Sequence, residues 1–366
     1  MLRRLLVGLV VLVGLNLAAC SSGTGDTRTI GVDFNYDEFA GSFLGFFPRN
    51  VTVRPGMTVK FSQTWTGAPH SVTFADLDKI DELPAFFRDG AISQTAAQPC
   101  YVKTLDALPL DSSACKQSDQ VQPEFTGDLA YYSSGLILPR GKNANTFTVK
   151  IAEDAKPGTY GYYCNVHGRE QAGRLTIAKD GKVRSQKELN TTARAEALDL
   201  AAPVLEVYRR EKAGKSGFEG NLAGSGDPST QGGAVRVNEF TPRTIYTNRG
   251  AKVSWTFVGN HSISFNTPTF TPLFKTLDNG DIVANDELDK PAGGWPGAPP
   301  GHKAYPQTSS ELVSLDAGEF DGSGGLKSSG IGFNTGDTYA VTFTKTGTYP
   351  YACLIHPGMI GKVVVK

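Results

Sequence analysis

Two stretches of this chain align without a gap: FFPRNVTVRPGMTVKF, from Phe46 to Phe61, and FTPRTIYTNRGAKVSW, from Phe240 to Trp255. Each reads as two alternating strands around a turn, with Gly56 and Gly250 at equivalent places. Three shorter matches follow in the same order. SSGL at 133–136 answers SSGI at 328–331, TYGYYC at 159–164 answers TYPYAC at 348–353, and GRLTI at 173–177 answers GKVVV at 361–365. A chain with this pattern is two copies of one β-domain. Two long units make a duplicated domain and not a solenoid. The abundance of glycine and proline between Val/Thr/Phe/Tyr runs agrees with an all-β class.

The N-terminus reads as a processing signal. Arg3 and Arg4 precede an apolar run from Leu5 to Leu17, too short for an ordinary membrane span. Leu17-Ala18-Ala19-Cys20 then resembles a bacterial lipobox, which implies that Cys20 becomes a lipidated first residue. The expectation is a protein on the extracytoplasmic face of a cell membrane, held by lipid and not by a spanning helix. Formal net charge is zero, which speaks against a nucleic-acid partner.

These features divide the chain into a signal and lipobox (1–20), a tether (21–28), a first domain (29–180), a linker (181–233) and a second domain (234–366). Within the linker, Leu189, Ala193, Ala197, Leu200, Val204, Val207 and Tyr208 fall at helical spacing, with Pro203 expected to kink or interrupt the helix. Residues 215–233 are Gly/Ser-rich and read as flexible. Each domain also carries a long polar insertion, roughly 76–132 and 266–327, with the anchors Phe86, Phe87, Phe270 and Phe274. Loops of this length inside compact domains usually serve a function.

With Cys20 assigned to lipid, four cysteines remain. Cys100 and Cys115 lie close together in one polar segment and form the natural disulfide in an oxidising compartment. Cys164 and Cys353 are either paired with each other or free. Each opens a Cys-x-x-His, with His167 and His356, and each copy holds one earlier histidine followed by serine: His70-Ser71 and His261-Ser262. Ser71 and Ser262 are placed to hydrogen-bond the cysteine sulfur. The second copy adds Met359, three residues after His356. In the first copy the loop is one residue longer; anchoring on Gly173 and Gly361 sets Gln171 against Met359, with Glu170 as competitor. The fifth histidine, His302, lies in a Pro/Gly-rich insertion and reads as solvated.

His, Cys, His and Met in this order, the last three on one loop, resemble the ligand set of a type-1 copper centre, in which two imidazoles and a thiolate bind in plane and a thioether lies on the axis. The chain resembles a tandem cupredoxin, from the plastocyanin and amicyanin family. The resemblance implies a Greek-key β-sandwich for each copy and two type-1 copper ions per chain. It implies His261, Cys353, His356 and Met359 as one ligand set, and His70, Cys164, His167 and Gln171 as the other. Glutamine in place of methionine implies a lower potential in the first copy. The family also implies that His167 and His356 pass the electron.

The expected function is outer-sphere one-electron transfer between a redox donor and acceptor, the two sites acting as a short relay. Multicopper oxidases and nitrite reductases need further histidines, and this chain has five, four of them already placed; an enzyme is therefore not expected. The alternatives are copper trafficking or storage, and a protein in which only the second copy's site is active.

Overall fold

The computed structural model describes residues 27–88, 91–105, 115, 121–138, 144–213, 220–225, 233–267, 271–285, 312, 314–332 and 335–366. The signal segment with Cys20, Phe270 and His302 lie outside the described residues.

Strands with period-two burial build both copies. Thr58–Gln63 turns Val59, Phe61 and Gln63 inward, and Lys252–Phe257 turns Val253, Trp255 and Phe257 inward. An alternating strand has one apolar face and must cover it with a second sheet. In the first copy one sheet runs in the order 146–150, 58–63, 27–32, 46–47; its partner runs 50–53, 168–177, 158–164, 71–75, 131–136, 99–102. In the second copy the sheets are 240–241, 221–223, 252–257, 338–343, 314–320 and 244–247, 360–365, 347–352, 264–265, 327–328. The chain repeatedly crosses from one sheet to the other, as a Greek-key sandwich requires. The molecule is all-β apart from one long helix and two short helical segments, Leu77–Glu82 and Gln94–Ala97, among the described residues.

The duplication extends into the cores. Tyr162 packs on Phe46 and Phe61, with ring centroids 4.9 and 5.2 Å away. Its counterpart Tyr351 packs on Phe240 and Trp255 at 4.7 and 5.2 Å. The SSG repeats bolt the segment after the first histidine: the Ser134 and Ser329 hydroxyls each accept from a backbone N–H, Val72 and Ile263 respectively, at 2.9 Å.

The region between the copies departs from the sequence reading in two ways. The helix Gln186–Lys212 runs through Pro203 without interruption. A capping box of Ser185 and Glu188 starts it. Its inner face, with Ala197, Ala201 and Tyr208, packs on Phe39, Phe43, Phe47, Val235 and Val237, and this packing holds the turn where proline removes a hydrogen bond. Asn221–Ala223 lies within the expected flexible linker, yet it is a strand of the second copy, parallel to Lys252–Phe257. Its first-copy counterpart is Thr27–Val32, parallel to Thr58–Gln63 and starting two residues before the expected domain boundary.

The two sandwiches are clamped together. Val235–Val237 of the second pairs antiparallel with Gly41–Phe43 of the first. The insertions contribute as well: Phe86 meets Phe274 with centroids 5.4 Å apart, and the Gln94 side chain exchanges two hydrogen bonds with the Ile282 backbone. Cys100 and Cys115 form a disulfide, while Cys164 and Cys353 are free and buried.

Candidate metal centres

Each copy brings its early histidine and its Cys-x-x-His together at one end of the sandwich. The donor atoms of His70, Cys164 and His167 lie within 4.8 Å of one another, and so do those of His261, Cys353 and His356. The strand entered at Ser71 sets one histidine, and the hairpin loop after Cys164 or Cys353 sets the other. The Cys sulfur stands 3.5 Å from the loop histidine's Nδ1 in both copies.

The serines after the early histidines do what their position suggested, mainly through the backbone. The Ser71 and Ser262 N–H groups donate to the Cys164 and Cys353 sulfurs at 3.3 and 3.4 Å. Their hydroxyls accept from Asn165 N–H (2.7 Å) and Leu354 N–H (2.8 Å), tying the ligand loop to the histidine strand.

Around the first centre, Gln171 completes the cluster. Its Oε1 is 2.8 Å from His70 Nδ1 and 2.9 Å from His167 Nδ1, while its Nε2 donates to the Gly45 carbonyl at 3.1 Å. Glu170 is exposed. The extra loop residue is absorbed as a bulge: the hairpin register shifts between Tyr163↔Ala172 and Cys164↔Gly168, leaving 169–171 unpaired. The same hairpin register, Tyr162↔Gly173 and Tyr351↔Gly361, puts Gln171 where the second copy has Met359. Met359 is buried, and its backbone bonds to both Cys353 and His356.

The sequence reading missed Asp33. This buried residue, at φ 68°, directs a carboxylate oxygen to His70 Nε2 at 3.2 Å. The same oxygen accepts from Thr66 (2.5 Å), and its partner oxygen accepts from Phe34 N–H and Phe43 N–H (2.6 and 2.7 Å). The equivalent place in the second copy is Gly224, since Val32 pairs with Gln63 and Ala223 with Phe257. A Cβ at Gly224 would lie 2.7 Å from His261 Nε2, and φ there is +94°. No side chain fits, so His261 Nε2 donates instead to the Val258 carbonyl at 3.1 Å. In both copies Nε2 is occupied by an acceptor, which leaves Nδ1 facing the cysteine cluster as a metal donor.

The two centres differ in their electrostatics, because the Asp33 carboxylate outweighs burial and the Val258 carbonyl does not. Burial alone pushes His70 down, but Asp33 and the Cys164 sulfur outweigh it and raise its pKa to about 10. Burial raises the Cys164 thiol, yet His167 and His70 beside it hold it well below the ordinary range. In the second copy burial, reinforced by Arg236, lowers His261 to about 3 despite the Val258 carbonyl. Burial also holds His356 well down and pushes the Cys353 thiol up.

These donor sets fit copper. Two buried, unpaired sulfurs each meet two imidazole Nδ1 atoms, and an amide oxygen converges on the first set. This mixture of soft and intermediate donors suits both copper oxidation states.

Comparison with known proteins agrees at the second centre. The family described as copper binding proteins, plastocyanin/azurin family, matches residues 314–366, which hold Cys353, His356 and Met359. Among solved structures the chain is similar to reduced auracyanin from Roseiflexus castenholzii (18% identity over 43% of this chain and 99% of that one, TM-score 0.25). It is also similar to a purple cupredoxin from Nitrosopumilus maritimus (18%, 41% and 100%, TM-score 0.19) and to amicyanin from Paracoccus versutus (16%, 42% and 88%, TM-score 0.19). The strand order described above, and not these overlaps, defines the fold.

Proposed function

We propose that the chain is a two-centre copper electron carrier, lipid-anchored through Cys20 on the extracytoplasmic face of a cell membrane. His70, Cys164, His167 and Gln171 hold one type-1 copper, and His261, Cys353, His356 and Met359 hold the other. The observation that carries this reading is the repeated meeting of a free buried sulfur with two Nδ1 atoms. Bound there, copper supplies reversible one-electron chemistry between Cu(II) and Cu(I). The protein's part is to hold the donors still. The Nε2 acceptors fix ring orientation, and the Ser71 and Ser262 N–H groups stabilise thiolate charge. A site that barely moves between oxidation states exchanges electrons without a large reorganisation. The partners are a redox donor and a redox acceptor.

The test is copper titration of the full chain in detergent, with metal count and visible spectrum. Two equivalents and an intense thiolate-to-copper band at each site are expected. Copper bound without colour would indicate a copper-handling protein instead. One equivalent would leave a single active centre.

A further inference from the structure

The two centres face each other. Gly67, three residues ahead of His70, lies directly against the second copy's ligand loop. A Cβ on Gly67 would sit 2.3 Å from the Ile355 carbonyl oxygen and 2.7 Å from His356 Cδ2, and its φ is +106°. Glycine is thus required both by the backbone and by the close approach. His167 and His356 line one cavity of about 200 Å³ between the copies, together with Gly67, Pro69, Asn238 and Asn260. His70, His261 and His356 are buried, the last 9% exposed, whereas His167 is part-exposed.

The loop that covers His356 is well fastened. Gln63 Nε2 donates to the Ala68 carbonyl (3.2 Å), Thr66 donates to Asp33, and Asn238 of the second copy bonds both Ser42 and the Thr66 carbonyl. An external protein seeking His356 would have to displace this loop and the strand pairing beside it.

We propose that the first domain is the second centre's built-in redox partner: it covers His356, so electrons reach or leave the second centre through the first, and enter or leave the chain at His167. This rests on the two-copper reading. Electron tunnelling weakens steeply with distance, so the ligand edge nearest a partner is the path taken. For the second centre that edge is His356, and what it meets is Gly67. From there the main chain runs Gly67-Ala68-Pro69-His70 straight to a ligand of the first centre. Three trans peptide steps separate the Gly67 and His70 Cα atoms by at most about 11 Å. Each internal transfer moves one electron, oxidising one centre as the other is reduced, with no bond made or broken and no proton displaced. The outside partner is a one-electron redox protein that docks over the His167 rim.

Two measurements test this. In the metal-free chain, diethyl pyrocarbonate labelling mapped by mass spectrometry should modify His167 at least tenfold faster than His356; equal rates overturn the proposal. In the copper-loaded Cys164→Ser chain, reduced cytochrome c, a protein-sized reductant, should bleach the second centre's thiolate band at least tenfold more slowly than in the unaltered chain. Small dithionite should still bleach it. An unchanged rate with cytochrome c overturns the proposal. Absence of any thiolate band on loading refutes the two-copper reading, and the relay with it, while the labelling still reports whether His356 is covered.

Discussion

Asp33 and Gly224 occupy the same place in the two copies, and on the two-copper reading this difference, together with Gln171 against Met359, separates the centres electronically. A carboxylate on His70 Nε2 makes a charge-assisted hydrogen bond; a carbonyl on His261 makes a neutral one. Negative charge next to a ligand favours Cu(II), as does the amide oxygen of Gln171, so both act in the same direction. Asp33→Asn keeps the shape and removes the charge. The difference between charged and neutral hydrogen bonds is about 1 kcal/mol, so the first centre's potential should rise by roughly 40 mV. Potentiometry on its thiolate band checks this, and an unmoved potential would limit Asp33 to a structural part. Gln171→Ala should alter the same centre's spectrum and potential while the second centre's band stays as it was; no change there would show that Gln171 is not a ligand. Gln171 was legible because the Gly173/Gly361 anchor carried the register across the bulge. Asp33 was not. It precedes the first recognisable repeat at Phe46, its counterpart is a glycine, and no spacing rule connects it to His70.

At the scale of elements, the repeats SSGL and SSGI turn out to hold the histidine strands in place. Ser329→Ala would strip the partner from the buried Ile263 N–H and cost about 1–3 kcal/mol. A urea unfolding curve with an unchanged midpoint would contradict that role. Phe86→Ala removes a buried aromatic from the contact between the copies and should cost about 3–5 kcal/mol. It should also split one thermal transition into two, as calorimetry would show. The strand pairs around Gly56 and Gly250 were legible, since alternation and turn residues agree. Asn221–Ala223 was hidden, because three residues among glycines and serines show no period. Its strand character comes from parallel pairing with Lys252–Phe257. Pro203 does not interrupt its helix for a similar reason: local chemistry argues for a kink or an interruption, and the packing of Ala197, Ala201 and Tyr208 keeps the helix continuous.

For the whole molecule, the histidines make the metal-free protein respond to pH differently in its two halves. His261 has a folded pKa near 3 against 6.5 when unfolded. Between those values the unfolded chain binds a proton that the folded one refuses, so this contribution is complete above 6.5 and fades as pH falls towards 3. His70 runs the other way: its contribution is full below 6.5 and lost as pH rises through about 10. Hydrogen exchange of the metal-free chain at pH 5, against pH 7.5, should therefore show protection lost in Lys252–Phe257 while Thr58–Gln63 keeps it. Equal loss in both strands would contradict the assignment. The tandem arrangement itself was legible from the repeats, but the facing of the two centres was not. It depends on Gly67 against His356 and on Val235–Val237 pairing with Gly41–Phe43, contacts between residues with no sequence relationship. The most direct test of a two-centre electron carrier is a redox titration of the copper-loaded chain, following the thiolate bands with Cys164→Ser and Cys353→Ser chains to assign them. A two-centre carrier should show two reversible one-electron waves, the lower belonging to the Gln171 centre. A single wave, irreversible bleaching, or two waves of equal potential would contradict it.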